Sequence, residues 1–312
     1  MKQFETIQKT TPTGQIVAIP KAVITGKNDG PVLAIVAAVH GSEYCGIEAA
    51  IRLYRDLNDE EMSGTLRMAL AANLPAFHGR TMYRCPIDNE NVGRSFPGSP
   101  GGTYSQLAGH MIWQEIVGDA DYVLDLHGGD LIEVLTQYVG YYVSGDAELD
   151  RKAREAVLVL GSENVEERPL PQEEKNMSLH QAAASARKVG ILIEAGSQGR
   201  RDEGDVLFHY NGILSLMRHL GMLEGKSLKP ESNIRFLDDF VGVTAGAEGI
   251  FYSLVEANVV VEKDQPIGEI RSFTSDLIET VTSPVHGVVL GVITPAGTHE
   301  GAMLFGIGRL GS

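Results

Sequence analysis

Cysteine is nearly absent from this chain: Cys45 and Cys85 are the only two in 312 residues. That is too few for a disulfide framework, so a reducing cytoplasm is the expected compartment. No apolar run approaches the roughly 20 residues that a membrane-spanning helix needs, so no membrane partner is expected. The N-terminal stretch has neither the apolar core of a secretory leader nor the arginines of a transit sequence. Positive charge is also short, with 26 lysines and arginines against 41 acidic residues and a formal net charge of −15. Nucleic-acid binding is driven largely by cations that neutralise phosphates, so no nucleic-acid partner is expected either. A small anionic substrate is still allowed, because a local arginine cluster outweighs distant charge screened by salt. Internal repeats of roughly 20 to 50 residues and low-complexity tracts are missing as well.

What is present reads as α/β over the first two thirds. Residues 32–39 form a continuous apolar run with β-branched members, as expected of a strand covered on both faces. Residues 43–57 follow with Ile47, Ala50, Ile51 and Tyr54 at helical spacing. The same reading predicts strands at 65–73, 122–126 and 190–194, and helices at 106–117, 148–160, 179–187 and 205–223. Residues 96–102, rich in Pro and Gly, and the polar, Glu-rich stretch 162–175 are expected to be loops. Alternating strands and helices argue for a mostly parallel or mixed sheet with helices on both faces. After Gly225 the helical period disappears and short Val/Ile-rich runs alternate with Gly, Pro and Asp turns. A polar linker at 223–233 therefore separates an expected catalytic domain, 1–228, from a β-rich C-terminal domain, 229–312.

Three places carry chemistry. His40 and Glu43 lie just after the first predicted strand, His127 ends the 122–126 run, and Glu194 closes the 190–194 run. Parallel strands share one C-terminal edge, where ligands bind, so two histidines and two glutamates are expected on one rim. Two histidines and one carboxylate are a usual ligand set for catalytic zinc, with the fourth position left for water. A second carboxylate that does not bind metal can take that water's proton as it attacks a carbonyl. Asp125, two residues before His127, is expected to point away from the metal.

These segments, His40-Gly41-Ser42-Glu43, Asp125-Leu126-His127-Gly128 and Ile193-Glu194-Ala195-Gly196, resemble the signatures of the succinylglutamate desuccinylase/aspartoacylase family. The family is a branch of the zinc carboxypeptidase-like hydrolases, and the resemblance runs over nearly the whole chain. It implies an α/β sheet flanked by helices, followed by a small C-terminal β-barrel-like domain. It implies one Zn2+ per chain on His40, Glu43 and His127, with Glu194 as general base. The segment from Asn73 to Gly98 matches too, and by resemblance Arg84 polarises the scissile carbonyl while Asn91 and Arg94 bind the substrate. The chain departs from the family pattern at Gly93, which stands where a carboxylate-binding asparagine is usual. The implied reaction is hydrolysis of the amide of an N-acyl amino acid, or a related small N-acyl amine, of N-acetyl or N-succinyl type. A diamino acid headgroup would suit a chain with so many acidic side chains.

The C-terminal region also resembles a biotinyl/lipoyl-type half-barrel, but no lysine lies between Ser272 and Thr282 to carry a swinging arm. It is read as a substrate-access lid or an oligomer contact, which leaves self-association open. Two other functions stay open. Ala195-Gly196-Ser197-Gln198-Gly199 imitates the nucleophile elbow of a serine hydrolase, with His209 or His219 as its base. The alternative is a non-catalytic zinc- or ligand-binding relative, which Gly93 favours and an intact Glu194 opposes.

Overall fold

A computed structural model describes residues 1–172 and 175–311. Its centre is the apolar strand Asn28–Ala37, whose side chains divide by parity. Leu33, Ile35 and Ala37 enter one hydrophobic cluster, while Ala34 and Val36 enter another on the opposite face. Both sets are fully buried, as a strand covered on both sides requires. The helices Tyr44–Asp56, Ala147–Leu158 and Glu203–His219 supply the first cluster. The helices Tyr104–Ile112 and Leu179–Ser185 supply the second. The expected α/β sheet with helices on both faces is therefore what the chain forms.

Around this strand the sheet runs parallel through Ser63–Ala69 on one side and Tyr122–His127 then Val189–Glu194 on the other. Next comes Tyr138–Val143, antiparallel to Val189–Glu194, and then Asn164–Pro169, parallel to it. Arg235–Thr244 pairs in parallel with Asn164–Pro169 and carries the C-terminal strands Met303–Leu310 and Gly287–Ile293 onto the same sheet. A smaller four-stranded sheet includes Gly249–Ser253, Pro266–Arg271 and Leu277–Thr282, so a small β unit closes the chain. At the far edge Lys2–Thr10 and Ile16–Thr25 form a hairpin.

Several elements differ from the sequence reading. The first run stops as a strand at Ala37 because Ala38 turns left-handed, with φ of 58°. The second ends at Ala69, and Asn73 caps a short helix instead, its Oδ1 accepting from Ala76 N at 3.3 Å. Part of the expected loop 162–175 is the strand Asn164–Pro169, while its residues 173 and 174 lie outside the described residues. The N-terminal hairpin and Tyr138–Val143 were not anticipated.

Candidate metal centre and active site

Strand register brings the chemistry together. His127 pairs with Glu194 across parallel neighbours, and Glu194 pairs with Tyr138 on the next strand. Paired residues share a face, so these three side chains stand in one row. Gly128 allows the close approach behind them, since a Cβ there would lie 2.3 Å from the Ala195 carbonyl oxygen. Glu43 occupies the N-cap of helix Tyr44–Asp56, yet its side chain caps nothing. The carboxylate is buried and turned towards the two histidines.

His40 Nδ1 lies 2.7 Å from Glu43 Oε1, and His127 Nδ1 lies 3.0 Å from Glu43 Oε2. The second contact lacks hydrogen-bond geometry, so Oε2 is a buried oxygen without a hydrogen-bond partner among the described residues. The far ring nitrogens are both occupied by oxygens. His40 Nε2 meets Asn91 Oδ1 at 3.1 Å and His127 Nε2 meets Asp125 Oδ1 at 3.0 Å. Acceptors at both Nε2 atoms favour the tautomer that would present the two Nδ1 atoms to a bound cation. Two imidazole nitrogens and a carboxylate converging in a buried place call for positive charge, whether a proton or a metal ion. Burial opposes charge on His127, but Asp125 and Glu43 outweigh it and hold the imidazole well above its ordinary pKa. Burial likewise opposes charge on Glu43, but the two histidines bring its pKa to about 2. The three residues can offer ligand atoms all within 4.8 Å of one another, and histidine nitrogens with a carboxylate are a zinc donor set. The residues present fit a zinc ion.

Asp125 does not point away. A strand repeats every two residues, so Asp125 and His127 share a face. Asp125 Oδ2 continues to His180 Nδ1 at 3.0 Å, and Tyr142 stacks on that imidazole. A buried carboxylate behind a ligating histidine is the usual device for fixing the ring.

Glu194 is partly open to the cavity, and its carboxyl makes no hydrogen bond or ion pair among the described residues. Burial, reinforced by Glu43, Glu133 and Glu166 and opposed by His127, holds its pKa well above the ordinary range. It faces a cavity of about 190 Å³ with His40, Glu43, His127, Tyr83 and Glu133, which Phe240, Val292 and Met303 wall off from the C-terminal side. A neighbouring cavity of about 300 Å³ shares His40, His127 and Glu194 with it and extends to Arg94, Glu166 and Arg168. A larger cavity, about 590 Å³, opens beside Asn28 at the opposite ends of the strands and includes none of the candidate ligands.

The other expected residues fall differently. Asn91 spends its amide oxygen on His40. Arg94 is exposed, lines the larger of the two active-site cavities, and its guanidinium has no hydrogen bond or ion pair among the described residues. Arg84 is not brought to the cluster: it is exposed, and its Nη1 donates to the Asn89 carbonyl at 2.8 Å. Both arginines do line a third cavity, with Lys175 at its rim. Gly93 has a steric reason, since a Cβ would lie 3.0 Å from both Asn91 Oδ1 and His40 Nε2. Gly93→Asn is therefore expected to push the Asn91 amide off His40 and weaken zinc affinity about 10-fold or more, as read by competition with a chromogenic chelator.

Sequence reading missed Tyr83, Glu133, Glu166 and Arg168. Tyr83 has φ of 52°, its N–H donates to Asp130 at 3.0 Å and its hydroxyl to Glu133 at 2.8 Å. A non-glycine residue held left-handed beside a site is a functional signal, but one visible only in the backbone. Glu166 and Arg168, spaced by two, carried a strand signal that the polar composition hid.

Ser197 is not arranged as a nucleophile. Its hydroxyl accepts from Leu135 N at 3.0 Å and faces the Leu135 carbonyl at 3.3 Å. His209 donates instead to the Ala195 carbonyl, Nε2 to O 3.2 Å, and is fully buried. Burial lowers its pKa from 6.5 to about 4. Between those values the unfolded chain binds a proton that the native one does not, so stability falls as pH drops from about 6.5 to 4. The loss attributable to this residue is about 3 kcal/mol. Denaturant titrations across that window are expected to show a shallower acid limb in His209→Gln than in the wild type.

The family model of the succinylglutamate desuccinylase/aspartoacylase catalytic domain matches residues 29–220. A curated relative, the N-alpha-acetyl-L-2,4-diaminobutyric acid deacetylase of Halomonas elongata, is 26% identical over 271 residues, covering 86% of this chain and 77% of the relative. Among solved structures, a succinylglutamate desuccinylase/aspartoacylase from Rhodobacter sphaeroides superimposes with a TM-score of 0.88 at 23% identity, covering 100% of this chain and 96% of that one. The product-bound ectoine utilization protein EutE (DoeB) from Ruegeria pomeroyi gives a TM-score of 0.87 at 22% identity, covering 99% and 95%. These structural likenesses establish the fold.

Proposed function

The chain belongs to the succinylglutamate desuccinylase/aspartoacylase family, and from that premise we propose that it is a zinc-dependent deacylase of N-acyl diamino acids. The observation that carries the reading is the convergence of both histidine Nδ1 atoms on the Glu43 carboxylate, with the unpaired Glu194 beside them. His40, Glu43 and His127 would hold the ion. Zinc there supplies a Lewis acid that polarises the acyl carbonyl and lowers the pKa of water towards about 7. Glu194 takes the proton of the attacking water as the new C–O bond forms, and its raised pKa suits a base working near neutrality. As the C–N bond breaks, the same carboxyl returns the proton to the leaving nitrogen, giving a free acid and a free amine. Arg94 receives the substrate's carboxylate, where a bidentate contact is available to a guanidinium. Arg84, tethered to one backbone carbonyl, turns to the scissile carbonyl when substrate fills the cavity; such contacts often tighten only in the complex.

The diamino headgroup is supported by the relative's substrate and by the acidic lining of Glu133, Glu166 and Glu194. The 1–228 unit contributes the chemistry and the 229–312 unit the far wall. Two buried, unpaired cysteines suit a cytoplasmic enzyme, and no helix of the described residues is long and apolar enough to cross a membrane.

The test is amine release from a panel of N-acetyl and N-succinyl amino acids by protein supplied with zinc. N-α-acetyl diamino acids are expected to be hydrolysed fastest. Release from none of the panel would sink the reading.

A further inference from the structure

One buried carboxylate in the active-site cavity is only half used. Glu166 is 2% exposed and lines the larger cavity together with Glu194 and His127. Its Oε2 meets Arg168 Nη2 at 3.0 Å, while its Oε1 is buried and has no hydrogen-bond partner among the described residues. Arg168 is itself fixed, its guanidinium lying 5.3 Å from the centre of the Tyr142 ring. The strand opposite makes room: Glu166 pairs with Gly140, where a Cβ would meet Glu166 Cβ at 3.0 Å and Oε2 at 3.3 Å. An unpaired buried carboxylate oxygen is costly, and its natural complement is a donor that carries positive charge.

We propose that Glu166 Oε1 receives the side-chain ammonium of the substrate and so selects diamino acids. The assignment rests on the deacylase reading above and names the residue that reads the headgroup. Spacing supports it. Glu194 lies on Val189–Glu194 and Glu166 on Asn164–Pro169, with only Tyr138–Val143 between them. Two strand spacings are about 10 Å, and because Glu194 is opposite Tyr138 while Glu166 is opposite Gly140, the two-residue stagger of about 7 Å along the strands makes the separation about 12 Å. The nitrogen of the scissile amide and the far ammonium of a 2,4-diamino acid are separated by four bonds of about 1.5 Å. A hydrogen bond of about 2.9 Å at each end brings the total to that order. Arg168 does not compete for the same oxygen, because it already holds Oε2. Instead it opposes the burial that raises the Glu166 pKa and holds the carboxylate in place through Oε2.

The experiment compares N-α-acetyl-2,4-diaminobutyrate with N-α-acetylnorvaline, in which a methyl group replaces the ammonium at the same chain length. In the zinc-supplied wild type, kcat/KM is expected to favour the diamino substrate by about 100-fold, since sites built around a charged hydrogen bond reject analogues that lack it. In Glu166→Gln that ratio is expected to fall to within about 10-fold, with the loss concentrated on the diamino substrate. A wild-type ratio near one overturns the assignment and needs no variant to fold. A strong wild-type preference that survives in a folded Glu166→Gln overturns it too. Loss of both activities in step would mark Glu166 as structural support and overturn its role in selection. Hydrolysis of neither substrate by the wild type would fall on the deacylase reading itself, and the assignment would go with it.

Discussion

His127→Ala is expected to lose its zinc and its deacylase activity together, by a factor of about 10⁴ or more in kcat/KM. A three-ligand site that loses one histidine keeps only His40 and Glu43, too few for a catalytic zinc centre. The variant also strips the counter-charge from two buried carboxylates. Asp125 is fully buried and Glu43 is 5% exposed, and each faces His127 at 3.0 Å. Breaking a buried pair from one side costs about 3 to 5 kcal/mol, so the variant should also melt earlier. Elemental analysis beside thermal unfolding reads both effects. A variant that keeps one zinc per chain would remove His127 from the ligand set.

Glu194→Gln separates chemistry from metal binding. The glutamine keeps the shape but cannot accept the water's proton, and removing a general base typically costs about 10² to 10⁴ in rate. The fall should appear equally in kcat and kcat/KM, the signature of an interaction made only in the transition state. Zinc content should stay at the wild-type level, because the Glu194 side chain has no hydrogen bond or ion pair with His40, Glu43 or His127. Wild-type rates in Glu194→Gln would dismiss it as the base. Loss of zinc would instead make it a ligand.

Both predictions concern residues that were legible in the sequence, and the reason is topological. His40, His127 and Glu194 each follow or end an apolar strand, and parallel strands deliver such positions to one edge. The parity of Leu33, Ile35 and Ala37 against Ala34 and Val36 is equally local, so the central strand was plain. Other parts depend on contacts far along the chain. Asn164–Pro169 has a charged surface composition, yet it becomes a strand because Tyr138–Val143 and Arg235–Thr244 pair with it on either side. Its Glu166 and Arg168 face a cavity, where polar side chains find partners or substrate. Arg84 shows the reverse limit: a motif predicted its presence near the site, but the backbone around Tyr83 decides where its guanidinium points. Lys2–Thr10 is an exposed edge strand held by its hairpin partner, so its own apolar pattern is weak.

The most direct test of a zinc-dependent deacylase is amine release from N-α-acetyl-2,4-diaminobutyrate before chelation, after chelation, and during stepwise return of zinc. Activity should vanish with the chelator and return linearly until about one zinc per chain is bound, as an open three-ligand site requires. Amine release that persists without metal, and that disappears in Ser197→Ala, would contradict the account and move the chemistry to the turn after Glu194.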